Sequence, residues 1–149
     1  MAEHPDDAGK AWHDFLEYVS QDRKAVVWTW TGYENGQVED LRKRFGADEA
    51  AYEKLRSSLA DLKIFVQEHW ALPVRSYSIK VVAPVFGFQW TAEDAGGLNS
   101  ELWYAEWLET GNTQLWEKLL RYNLDDVVAM ERIYEALRDP ARLGQVLER

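Results

Sequence analysis

The segment Tyr122-Asn123-Leu124-Asp125-Asp126-Val127 sets two adjacent carboxylates inside the longest helical pattern of the sequence, residues 113–138. A helix turns once per 3.6 residues, so Tyr122 and Asp126 lie about 40° apart on one face. Trp116, Leu119, Leu120, Val127, Met130, Tyr134 and Leu137 define the expected apolar stripe. Asp126 falls at its edge, and Asp125 is expected on the far, solvated side. A carboxylate at the border of an apolar stripe needs a partner, because burying it alone is costly. An arginine or a backbone amide would serve. So would a metal ion, with the tyrosine one turn away orienting a water on it.

Outward from this helix, Gly111-Asn112 separates it from a helix expected over 100–110. There Trp103 and Trp107, one turn apart, read as core or as a dimer face. Residues 91–99 (TAEDAGGLN) read as a loop, with Glu93 and Asp94 solvated. Ser76-Tyr77-Ser78-Ile79-Lys80 reads as a helix entry after Pro73. Residues 61–76 are ambiguous between strand and helix. Asp48 is the expected cap of a helix over 49–60, and Gly46 the stop of one over 37–45. Thr31–Gly36 reads as a turn. Ala25-Val26-Val27-Trp28-Thr29-Trp30 is β-branched and aromatic, and reads as a buried strand with Trp28 and Trp30 on one face. Trp12, Phe15, Leu16 and Val19 predict a first helix over 10–22. Residues 1–9 read as a frayed tail, and 10–149 as one domain without an internal linker.

The chain has 149 residues, no Cys and eight Trp, so disulfides and thiolate metal sites are excluded. It has no apolar run long enough to span a membrane, and a cytoplasmic location is the default. The net charge of −9 opposes tight, stand-alone binding of nucleic acid, whose affinity comes largely from Lys and Arg. His4, His13 and His69 share no metal-ligand spacing.

Tyr122-Asn123-Leu124-Asp125-Asp126-Val127 resembles the third motif of DEDDy-type 3′–5′ exonucleases, in which Tyr and Asp stand four apart on the last helix. Trp30-Thr31-Gly32-Tyr33-Glu34, with Val38 and Leu41, resembles the "HYGSYE…L" segment of a bacterial family. In that family a RecB-like nuclease region precedes an RNase H-like domain of the YprB kind. Ser76-Tyr77-Ser78-Ile79-Lys80 resembles its "SYSLK" segment, and Tyr104–Gly111 its "YEEWLETG" segment. Order and spacing agree over about residues 10–138.

The resemblance implies an α/β, partial RNase H-like fold: a small sheet with flanking helices, helix-rich. It implies metal-dependent hydrolysis of DNA or RNA phosphodiesters, with Mg2+ or Mn2+ bound by four acids in the complete domain. Carried over, Asp126 is a metal ligand and Tyr122 positions the attacking water. Glu34 stands as a second ligand where the family has Asp. Tyr77 and Lys80 are candidates for a phosphate contact, although a packing role for Tyr77 and a solvated one for Lys80 account for them more simply. The implied partners are nucleic acid, through the complete protein, and a preceding RecB-like region; a homodimer is compatible. The family's first motif, Asp-x-Glu on a strand, has no counterpart upstream of Trp28. The chain is therefore expected to be the later piece of a longer nuclease and inactive by itself. The rival expectation is an inactive RNase H-like module that positions nucleic acid or a partner. A helical interaction protein, lacking a sheet at residues 25–30, is the third.

Overall fold

The computed structural model describes residues 4–91 and 97–139. The chain divides into two compact units, Met1–His69 and Trp70–Arg149.

In the first unit, a 3-10 turn at Pro5–Asp7 leads into α1, Ala8–Gln21. Trp12, Leu16 and Val19 recur at helical spacing and are all buried. They form one core with Val38 of α2 (Tyr33–Phe45) and Tyr52 and Leu55 of α3 (Glu49–Ser58). Helix α2 starts at Tyr33, inside the stretch expected to be a turn, so Glu34 sits in its first turn. Gly46 closes α2 with φ 71°, a backbone conformation open mainly to glycine, and its N–H bonds the Arg42 carbonyl at 2.8 Å. Its own carbonyl accepts the Trp12 indole N–H at 2.7 Å, which ties the turn to α1. Asp48 caps α3 as expected, its side chain accepting the Ala51 N–H at 3.0 Å.

Strand β1, Val27–Thr29, pairs in parallel with β2, Leu59–Asp61, in the register Val27–Leu59, Trp28–Ala60 and Thr29–Asp61. A parallel pair needs a crossover, and α2 with α3 supplies it. Two expectations are corrected here. The strand ends at Thr29, so Trp30 is buried beyond it and the alternation that was to place Trp30 beside Trp28 does not reach it. The helix expected to run to residue 60 stops at Ser58, because Leu59–Asp61 is drawn into the sheet. Val27 faces the α1–α3 core, and Trp28 meets Phe65 at 6.4 Å between ring centroids. Phe65 belongs to α4, Leu62–His69, which resolves the ambiguous 61–76 stretch in favour of helix at its start. Asp61 caps α4 by accepting the Ile64 N–H at 3.0 Å.

The second unit is helical. Helix α5, Ile79–Val82, runs into a 3-10 turn, Ala83–Phe86, and both pack on α7, Thr113–Arg138. Helix α6, Gly97–Thr110, forms a hairpin with α7 through Gly111, at φ 66°. Trp107 stacks on Trp116 at 4.7 Å, and Trp103 meets Tyr122 edge-on at 6.4 Å, so these tryptophans serve the packing of the hairpin. The loop expected over 91–99 lies mostly outside the described residues, Glu93 and Asp94 with it. The whole is the helix-rich α/β arrangement expected, with a small sheet and flanking helices. Among the described residues no helix is long and apolar enough to cross a membrane.

Candidate functional site

Helix α7 buries Leu119, Tyr122, Asp125, Ala129, Ile133 and Ala136, a stripe stepping by three or four residues. This is not the stripe read from the sequence: Leu120 and Val127 are exposed. The two carboxylates exchange places as a result. Asp125 is the buried one, 6% exposed, and Asp126 is the half-buried one, its side chain 31% exposed.

Both are satisfied from a segment more than 30 positions upstream. Thr91 donates its N–H to Asp125 Oδ2 at 2.8 Å and its hydroxyl to the same oxygen at 3.0 Å. Trp90 donates its indole N–H to Asp126 Oδ1 at 2.8 Å. Consecutive residues thus hold consecutive carboxylates.

Asp126 has a second partner. Lys80 Nζ, from α5, lies 3.0 Å from the same Oδ1. That ammonium also sits 3.9 Å from the centroid of the Trp90 ring and 4.5 Å from that of Tyr122. Aromatic faces attract cations through their quadrupole, so Lys80 is held by two rings and one carboxylate at once. The pair is one-third exposed, and solvent limits what it adds to stability to about 1 kcal/mol. The Tyr122 phenol is pushed above its ordinary range, by burial first and then by the negative charge of Asp126.

Three of the sequence candidates, Lys80, Tyr122 and Asp126, therefore converge within the second unit. Tyr77 takes a different part: its hydroxyl donates to the Trp70 carbonyl at 3.0 Å and accepts the Leu72 N–H at 3.3 Å, bracing the 70–77 segment. Glu34 stands in the first unit, half-buried, where its carboxylate accepts the Thr31 hydroxyl at 3.1 Å. Trp90, Thr91 and the buried state of Asp125 were missed in the sequence. Residues 90 and 91 lie in an irregular segment, where no periodicity marks a side chain as inward.

A hard divalent cation such as Mg2+ needs several oxygen ligands around it. Among the described residues no group of three or more His, Asp or Glu is placed to hold one. The one carboxylate at the centre of this cluster already carries an ammonium and an indole N–H on one oxygen. This donor set does not fit a divalent metal as it stands. The cation beside Asp126 is the Lys80 ammonium.

A family model described as RNase_H_2, of the RNase H superfamily, matches residues 1–138. No curated protein and no solved structure matches the chain.

Proposed function

The chain belongs to the RNase H superfamily, and from that premise we propose that it is an exonuclease-like domain of the DEDDy, YprB-related kind. Asp126 in the second unit and Glu34 in the first are the residues at the family's metal-ligand positions, with Tyr122 its water-positioning residue and Lys80 its phosphate-contacting residue. The observation that carries this reading is the convergence of Lys80, Tyr122 and Asp126, residues 46 and four positions apart, on one carboxylate oxygen and the rings around it. The first two come from segments with no common periodicity, so their meeting is not a by-product of one amphipathic helix. The substrate class is a DNA or RNA phosphodiester, presented through a complete protein that includes a RecB-like region. Mg2+ or Mn2+ is the cofactor of the complete domain.

The chain alone has little or no hydrolytic activity in this reading. No Asp-x-Glu occurs in its 149 residues, and two carboxylates hold Mg2+ or Mn2+ only weakly. A net charge of −9 also repels a polyanionic substrate. The ion pair of Asp126 with Lys80 favours a second reading, a non-hydrolytic RNase H-like module that positions nucleic acid for the RecB-like region. Mn2+ titration followed by electron paramagnetic resonance separates the two. The nuclease-type site is expected to show weak Mn2+ binding that Asp126→Asn removes and Tyr122→Phe spares. Mn2+ binding indifferent to Asp126→Asn would overturn the assignment of Asp126.

A further inference from the structure

Helix α7 is apolar on two sides. Its buried stripe packs inside the second unit, and Leu120, Leu124 and Val127 form another strip on the outward side. At about 100° per residue, Leu124 lies about 160° around the axis from the buried Tyr122. The three recur at i, i+4 and i+7, so they make one continuous strip. Leu124 and Val127 are each 57% exposed and Leu120 is 43% exposed. A helix with a single partner turns charged side chains outward. This one turns two leucines and a valine outward instead. One exposed leucine needs no explanation, whereas a contiguous strip marks a contact surface.

Glu117 and Glu131, both exposed, bracket the strip, about 21 Å apart along the helix axis. Glu117 also lines a shallow hollow with Leu120, Arg121 and Leu124. The bracketing carboxylates decide what can cover the strip. A second copy laid antiparallel, strip on strip, brings Glu117 of each copy beside Glu131 of the other. Laid parallel, it sets each glutamate against itself. Arg121 stands on the flank of the strip and, in the antiparallel pair, meets the level of Val127 rather than a carboxylate. Both arrangements therefore place like charges together at both ends, which opposes self-pairing. An anionic lipid surface meets the same two charges.

We infer that the outward face of α7 docks an amphipathic helix of a different polypeptide, one whose apolar strip is bracketed at both ends by Lys or Arg. The apolar side chains supply the attraction, and the end charges choose the partner. The strip is short, so the contact belongs to the weak, reversible class.

Two experiments on the full chain test this. In the first, a fluorescein-labelled synthetic helix carries leucines at the same i, i+4, i+7 spacing, with a lysine at each end of the strip. Its control has glutamate in place of each lysine. At low salt, fluorescence anisotropy should show the lysine-bracketed peptide binding about tenfold or more tighter than its control, as opposite rather than like end charges require. Leu124→Ser should remove that binding. Equal binding of the two peptides, or binding indifferent to Leu124→Ser, overturns the inference. The second experiment needs no partner. Glu131→Lys puts a lysine beside Glu117 of an antiparallel copy and makes the face self-complementary. In sedimentation equilibrium this variant should self-associate about tenfold or more tightly than the parent, and Leu124→Ser in the same chain should cancel the gain. No gain in Glu131→Lys overturns the inference. A parent chain that already pairs in a manner lost on Leu124→Ser overturns it too, because the occupant is then a second copy. If a variant does not fold, as judged by circular dichroism, the comparison of the two peptides on the parent chain still decides the matter.

Discussion

Asp125 and Asp126 are chemically identical neighbours with opposite burdens. Removing the Asp125 carboxylate leaves the Thr91 N–H and hydroxyl without their acceptor beneath a 6%-exposed position. Thr91 itself is exposed, so its donors can turn to water, and Asp125→Ala is expected to cost about 1 kcal/mol, the net worth of a typical hydrogen bond. Asp125→Asn, which keeps one carbonyl acceptor, should cost less. Asp126→Ala should cost less than Asp125→Ala, since its pair with Lys80 is open to solvent. Urea denaturation of the three variants checks the order. Tyr122 carries a pH signature. Its folded pKa is raised, so the folded state keeps a proton that the unfolded chain gives up from about pH 10 upward. Stability should fall as pH rises through that range, and Tyr122→Phe should blunt the fall, as read by thermal melts between pH 9 and about pH 11. The pairing of Tyr122 with Asp126 was legible from helical spacing. The depth of Asp125 was not: Leu120, Leu124 and Val127 are apolar yet exposed, and they drew the inferred stripe off the true one. An aspartate contributes nothing to a hydrophobic pattern, and its partner Thr91 is 34 positions away.

At the scale of elements, the first unit hangs on how α1 meets the α2–α3 turn. Trp12 fills the core with its ring and bonds the Gly46 carbonyl with its N–H. Trp12→Phe should lose the hydrogen bond, about 1 kcal/mol, and Trp12→Ala should lose about 3–5 kcal/mol through the cavity it leaves. Gly46, at φ 71° and ψ 176°, occupies a region that side chains rarely enter, so Gly46→Ala is expected to cost about 1–3 kcal/mol although nothing lies within 4 Å of the added carbon. Chemical denaturation read by tryptophan fluorescence or circular dichroism reports all three. Helices α1, α2 and α3 were legible because apolar spacing marks α1, Gly46 stops α2 and Asp48 caps α3. Strand β2 was not. Leu59-Ala60-Asp61 is too short to alternate, and only pairing with Val27–Thr29 makes it a strand. That pairing is a long-range fact, invisible to any local window.

At the scale of the molecule, the proposed acids stand 92 positions apart in sequence and in different compact units. Incubated with single-stranded DNA or RNA and millimolar Mg2+ or Mn2+, the unaltered chain should leave the substrate intact. Metal-dependent digestion abolished by Asp126→Asn would mean that a further acid completes the site.

The double clasp of Trp90 on Asp126 and Thr91 on Asp125 runs in opposite directions along the two segments, one step up against one step down. Such a clasp counts residues. An insertion in α7 between Leu119 and Asp125 would turn everything after it by about 100° relative to everything before, and both carboxylates would miss their partners. An insertion at the Gly111-Asn112 turn disturbs neither segment, and lengthening a loop costs little. Descent with changes of length should thus be written at the hairpin turn and forbidden in the middle of the helix.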